Sequence, residues 1–163
     1  MNVLITGSTG FVGRHLVPKL IDASHQVLEL TRDSEKSVLL FGDNTLKYQL
    51  DEQQENLTAT IHTFQPEVVI HLASYLTSLD DYNSLNKLLN SNIQFFCRLL
   101  DALKETNLKL FINTGTFAEY YKGDDTFVPA YLYAATKTAS RFFLDYYSKV
   151  YNFKQATVVP YTI

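Results

Sequence analysis

At 163 residues, with 46% hydrophobic content, the chain is sized for one compact domain with a sizeable core, which excludes a disordered segment. A formal net charge of -3, with no block of arginine or lysine, offers neither a nucleic-acid surface nor an electrostatic membrane contact, leaving small molecules or protein as partners. The single cysteine, Cys97, excludes an internal disulfide, falls in an apparent helix as a structural thiol and fits a reducing cytoplasm. The first residues read as a strand rather than a charged and apolar leader, and no apolar run approaches the ~20 residues of a membrane span, so a soluble, untargeted protein is expected.

Asn2 to Thr6 is a short apolar strand that runs through Gly7, Gly10 and Gly13 into an amphipathic helix from Phe11 to Ile21. A strand that turns through glycines into a helix presents unpaired backbone N–H groups and the positive end of the helix dipole, which suits a diphosphate. Phe11, Val12 and Gly13 form the first helical turn, where those N–H groups lie. Gly7 serves the tight turn, Gly10 a close approach of backbone to phosphate, and Gly13 close helix-to-strand packing. The spacing G-x-x-G-x-x-G is one residue longer at its start than the general dinucleotide fingerprint, and three glycines can also be plain turn residues.

His25 to Thr31 reads as a second strand. In a dinucleotide fold its tip faces the adenosine ribose, where a carboxylate bonds the 2′-hydroxyl and an arginine accommodates a 2′-phosphate. The tip here is Thr31-Arg32, which favours NADP over NAD, although Arg32 as a solvated loop charge is the plainer alternative. Asp33 to Asn44 is polar and turn-rich, and Leu46 to Leu50 is a third strand leading to Asp51. Asp51 has two equal readings, an acceptor for the adenine amino group or a cap for the helix from Gln54 to Phe64. Glu67 to Ala73 is a continuous apolar run, as in a strand buried on both faces of a parallel sheet, and it ends in small residues against which a cofactor can lie. The histidines His15, His25, His62 and His71 show no ligand spacing, so no metal is expected.

Leu85 to Lys104 reads as one long helix containing Asn92, and a polar residue inside a helix ordinarily points to solvent. Leu108 to Ile112 is the next buried strand, followed by Asn113-Thr114-Gly115-Thr116 at its carboxyl end, where open α/β sheets bind ligands. A loop rich in Tyr, Gly and Asp spans Glu119 to Pro129, a helix then carries Tyr133 and Lys137 one turn apart, and Lys154 to Val159 is the last strand. Strands alternating with helices predict an α/β fold, a Rossmann-type doubly wound parallel sheet with helices on both faces.

A tyrosine near its ordinary pKa of ~10 is a poor base, and an ammonium one turn away favours its phenolate. Tyr133 can then shuttle a proton while Thr116 hydrogen-bonds the substrate oxygen, although with eleven tyrosines a Tyr and a Lys four apart can also be a surface pair. Taken together, Gly7, Gly10 and Gly13, His71-Leu72-Ala73, Asn92, Thr116 and Tyr133-Ala-Ala-Thr-Lys137 resemble the NAD(P)-dependent epimerase/dehydratase family, extended short-chain dehydrogenase/reductases acting largely on nucleotide sugars. The resemblance covers nearly the whole chain. It implies that Thr116, Tyr133 and Lys137 are catalytic, that Lys137 also holds the nicotinamide ribose, and that Leu72, Ala73 and Thr114 lie against the cofactor. It also implies a homodimer through the helices carrying Asn92 and Tyr133.

Departures from the family pattern narrow the expectation. Phe117-Ala118 stands where dehydratases of the group carry Asp-Glu, which disfavours dehydration, and Arg32 suits NADP with NAD as the second option. Reduction of a 4-keto nucleotide sugar is therefore the leading reading, with 4-epimerisation or a non-catalytic NADP-binding module as alternatives. Family members are about twice this length, so residues 1–163 are expected to be the NAD(P)-binding domain without the smaller substrate domain. Pro160, Tyr161 and Ile163 are expected to form an apolar face that such a domain would cover.

Overall fold

The computed structural model describes residues 1–123 and 126–161. Six strands, β1 (Asn2–Thr6), β2 (Gln26–Thr31), β3 (Leu46–Gln49), β4 (Val68–His71), β5 (Leu110–Thr114) and β6 (Lys154–Val158), form one sheet in the order β3-β2-β1-β4-β5-β6. Every adjacent pair is parallel. The chain builds from β1 out to β3, then returns to lay β4 on the other side of β1, so the strand order reverses between those two and opens a crevice at their carboxyl ends.

Alternation along the strands sorts side chains into two cores. Leu4, Leu28, Leu30, Val69 and Phe111 face α3 (Gln54–Phe64), α5 (Phe95–Ala102) and α6 (Leu132–Val150), meeting Leu57, Ile61, Phe96, Leu99, Leu100 and Leu144. Val3, Ile5, Val27 and Ile70 face the other side, where α1 (Phe11–Asp22) and α2 (Ser34–Phe41) contribute Val17 and Phe41. Each such side chain contributes about 1.5 to 3 kcal/mol relative to an exposed one, so both faces of the sheet stabilise the crevice.

Three elements differ from the expectation. Residues 34–41 are helix, not turns: the Asp33 carboxylate accepts from the Lys36 N–H at 2.9 Å, and Gly42, at φ +57°, ends the helix in a left-handed conformation. Ser37 and Phe41 face the sheet while Val38, Leu39 and Leu40 are exposed, so polarity and burial run opposite to the usual pattern. Ser37 donates to Oε1 of Glu29, a wholly buried carboxylate on β2, and Thr45 donates to the same oxygen.

The helix expected over 85–104 begins earlier, at Tyr82, where Asp81 accepts from the Ser84 N–H at 3.0 Å. It is also not continuous, because α4 (Tyr82–Leu88) passes into α5 through a π-turn over Leu89–Gln94 that contains Asn92. The fifth strand is Leu110–Thr114 rather than 108–112, since its pairing with Val68–His71 on one side and Lys154–Val158 on the other sets the register. Asn113 and Thr114 thus belong to the strand, not to the loop after it. Tyr161 is exposed and stacks on Phe117, Pro160 is partly buried, and Ile163 lies outside the described residues. No helix among the described residues is long and apolar enough to cross a membrane.

Candidate active site

The crevice is floored by the glycine turn after β1. Gly7 has φ +71°, and a Cβ there would lie 2.7 Å from the Ala73 nitrogen and 2.8 Å from the Leu72 carbonyl carbon, so only glycine lets the turn rest on the end of β4. A Cβ on Gly13 would likewise collide with the backbone of Gly7 and Ser8, so glycine there lets α1 pack directly against the turn. Gly10 begins the helix with its N–H bonded to the Gly7 carbonyl at 3.1 Å, offers no side-chain cap, and is followed by a first turn with no acidic residue. Phe11 and Val12 are exposed beside it. The positive end of α1 therefore stays uncompensated where a diphosphate would be held, and the glycine cradle fits a dinucleotide.

Arg32, one residue past β2, is exposed, and among the described residues no carboxylate pairs with it; Asp33 is occupied in capping α2. Asp51 stands two residues ahead of the α3 N-cap, Gln53, which has no side-chain cap bond, and it is held by local hydrogen bonds. Its Oδ2 accepts from the Asn56 amide at 3.0 Å and its Oδ1 from the Tyr48 hydroxyl and the Gln53 N–H at 2.9 Å, tying β3 to the start of α3. These hydrogen bonds, Asn56 first, hold the carboxyl below the usual range.

The hydroxyl groups gather on the other side of the crevice. Tyr133 and Lys137 share one face of α6. The Tyr133 hydroxyl is hydrogen-bonded to Ser74, just beyond β4. Asn92 is buried rather than solvated: its carbonyl accepts from the Tyr75 N–H at 2.8 Å and the Ser74 hydroxyl at 3.3 Å, and its amide donates to the Tyr75 carbonyl and the Thr136 hydroxyl. The π-turn that turns Asn92 inward is thus the device that joins the segment after β4 to α6 beside Tyr133. Insertions of this kind recur at functional sites.

Burial pushes Lys137 down to about 8, with the Glu119 carboxylate opposing and the Arg141 guanidinium reinforcing the shift. Tyr133 does not match its expected electrostatics. Burial raises its hydroxyl above the ordinary phenol value, the Ser74 hydrogen bond opposes, and Tyr131 and Glu119 add to the rise, with no lowering from Lys137. His71, buried under the end of β4 against Phe96, is kept neutral first by burial and then by the Lys137 charge, and its Nδ1 is hydrogen-bonded to the Thr6 hydroxyl at 2.9 Å.

Thr114 donates to the His71 carbonyl at 2.9 Å, tying β5 to β4 at the height of the crevice. Thr116 starts a 3₁₀ turn over Phe117–Glu119, its hydroxyl accepting from the Ala118 N–H at 3.3 Å while its own N–H donates to the Glu119 carboxylate at 2.7 Å. That turn packs on α6. Sequence reading missed Ser74 as the partner of Tyr133, and it left Glu119 and Arg141 without a role. The T-x-x-E pattern over Thr116 to Glu119 was the available signal for the second, as a capping box.

The chain is 29% identical to UDP-glucose 4-epimerase of Mycolicibacterium smegmatis, over 98% of this chain and 55% of that protein. It is 27% identical to CDP-abequose synthase of Yersinia pseudotuberculosis, over 99% of this chain and 55% of that protein. The structure superimposes on UDP-glucose 4-epimerase with UDP-glucose from Thermotoga maritima with a TM-score of 0.83 and 26% identity, covering 96% of this chain and 54% of that one. The chain therefore spans about half the length of the relatives it matches. The profile of the NAD dependent epimerase/dehydratase family matches residues 3–163, nearly every element from β1 to the end of β6, and the chain belongs to that family.

Proposed function

We propose that these residues form the cofactor-binding and proton-transferring part of an enzyme that moves hydride between a nicotinamide cofactor and a ring carbon of a nucleotide sugar. The observation that carries the reading is the convergence of Tyr133, Lys137 and Ser74, tied by Asn92, beside the glycine cradle at the carboxyl ends of β1 and β4. A bound nicotinamide dinucleotide would supply the hydride acceptor and donor. Gly7, Gly10 and the first turn of α1, with Phe11, Val12 and Gly13, hold its diphosphate; Leu72 and Ala73 line its path, and Lys137 holds a ribose. Tyr133 takes and returns the proton of the sugar hydroxyl, with Thr116 orienting that oxygen.

Between the two reactions open to such a site, 4-epimerisation is the better supported, because UDP-glucose 4-epimerases stand among the relatives in both sequence and structure. NAD is then the cofactor. A second reading, reduction of a 4-keto nucleotide sugar with NADP, is favoured by Arg32 at the tip of β2, which pairs with no carboxylate among the described residues. Stoichiometry separates them. Epimerisation is redox-neutral and consumes no added cofactor, whereas reduction oxidises one NADPH per turnover. Incubating the longest natural form of the chain with UDP-glucose and NAD, and separately with a 4-keto nucleotide sugar and NADPH, should give the 4-epimer with no net absorbance change at 340 nm in the first. Conversion only in the second selects the reductase, and conversion in neither refutes the proposed activity. We further propose that this part pairs as a homodimer through α6, whose Phe142, Tyr146 and Val150 are exposed.

A further inference from the structure

Thr116 and the Tyr133–Lys137 pair sit on different elements, and their relative placement depends on what joins the 3₁₀ turn to α6. The joint is an ion pair whose carboxylate is buried and whose guanidinium is partly buried. Glu119 is wholly buried, and its Oε1 accepts from the Thr116 N–H at 2.7 Å. Its Oε2 accepts from Arg141 Nε at 2.6 Å, and Arg141 Nη2 donates back to Oε1 at 3.2 Å, a two-pronged grip. Arg141 lies one turn beyond Lys137, so Tyr133, Lys137 and Arg141 line a single face of α6.

The surroundings are shaped around the pair. A Cβ on Gly115 would meet Arg141 Nη2 at 2.5 Å and Glu119 Oε1 at 2.8 Å, so the residue before Thr116 is cut back to let the pair pass beneath it. The guanidinium also lies 5.8 Å from the Tyr120 ring centroid and 5.2 Å from that of Phe127, on the two sides of the loop. Buried pairs of this kind seldom stabilise a fold more than apolar side chains of the same volume would, so stability alone does not account for a carboxylate placed on the Thr116 amide.

We propose that Glu119, gripped by Arg141, is a positioning residue that fixes the Thr116 main chain, and hence its hydroxyl, at a set distance from Tyr133 and Lys137. The inference rests on Thr116 being the hydroxyl that meets the substrate. A loosened Thr116 leaves the cofactor seat on α1 untouched but misplaces one of the groups that hold the reacting oxygen, and misplacement of about 1 Å costs up to ~100-fold in rate.

The test compares Glu119→Ala with the double change Glu119→Gln/Arg141→Met in the longest natural form of the chain. The double variant keeps a carbonyl oxygen for the Thr116 N–H while removing both charges. Glu119→Ala and the double variant, which both lose the link to α6, should each lower kcat roughly 10- to 100-fold with KM and cofactor affinity within about twofold. Wild-type kcat in either variant overturns the inference. Amide exchange of the unmutated protein gives a readout that needs neither variant to fold: the Thr116 amide should be protected at least ~100-fold, and free exchange there overturns the inference as well. Tyr133→Phe, run alongside, keeps the two ideas apart. Full activity in that variant refutes the site itself, whereas an inactive Tyr133→Phe with a fully active Glu119→Ala refutes only the role of Glu119.

Discussion

Replacing Gly7 by alanine tests the crevice where its geometry is tightest. Two separate penalties apply. A non-glycine residue at φ +71° carries about 1 to 2 kcal/mol of left-handed strain. The added Cβ would also stand 2.7 Å from the Ala73 nitrogen and 2.8 Å from the Leu72 carbonyl carbon, and both are main-chain atoms that cannot rotate aside. Forcing that contact apart resembles overpacking and costs roughly 1 to 3 kcal/mol more. The total of about 2 to 5 kcal/mol corresponds to a fall in Tm of roughly 4 to 20 °C for a domain of this size. Gly123 supplies the control, since it has φ +74° with nothing within 4 Å of its virtual Cβ, so Gly123→Ala meets only the strain. Urea or thermal melts of both variants should show Gly7→Ala losing about twice as much stability or more. NAD(H) fluorescence titration should weaken in Gly7→Ala alone. Equal stability losses in the two variants would refute the contact between the glycine turn and the end of β4.

Other outcomes follow from the remaining site residues. Tyr133→Phe should cut turnover by ~100-fold or more while leaving cofactor affinity intact, as measured by steady-state kinetics beside a binding titration. Arg32→Ala should weaken NADPH by roughly 10- to 100-fold and scarcely affect NADH, since a charge-assisted contact to the 2′-phosphate contributes about 1.5 to 3 kcal/mol; equal losses would remove the second reading. Burial lowers Lys137 to about 8, so between that value and its unfolded pKa of ~10.5 the unfolded chain binds the extra proton and stability rises with pH. Wild type should therefore gain about 3 kcal/mol relative to Lys137→Met between pH ~7.5 and ~10.5, read from urea melts, and a constant difference would show that the ammonium is not buried.

What the sequence disclosed divides by the range of the interactions responsible. The glycine turn is local: strand, spacing and helix lie within residues 2–22, and the turn was visible there. Gln54–Phe64 was legible from end to end for the same reason. Residues 34–41 were not, because the helix buries a serine against a glutamate of β2 and exposes three aliphatic residues, the reverse of the pattern that periodicity detects. Asn92 illustrates a different failure. A polar residue within a helix reads as solvated, and only the extra residue of a π-turn, with Tyr75 and Thr136 supplied by distant segments, turns it inward. Tyr133 and Lys137 were legible as a pair, but their electrostatics depend on burial, which spacing does not encode.

The strand order makes the two halves of the site mechanically dependent on each other. Because β4 returns to the side of β1, the Thr6 hydroxyl at the end of β1 reaches both the Ala73 N–H and His71 Nδ1, while the Thr114 hydroxyl at the end of β5 reaches the His71 carbonyl. Three adjacent strands are thus tied at one height. Gly7 rests on the same Ala73, and the chain leaving it carries Ser74 to Tyr133 and Tyr75 to Asn92. A shift of the glycine turn must therefore move Ala73, and through it the hydroxyl partner of Tyr133. Residues 71–75 are the short span through which the glycine turn and the Tyr133 face of α6 keep register, and under the proposed function a substitution there should disturb cofactor affinity and turnover together, whereas changes at Arg32 or Tyr133 separate them.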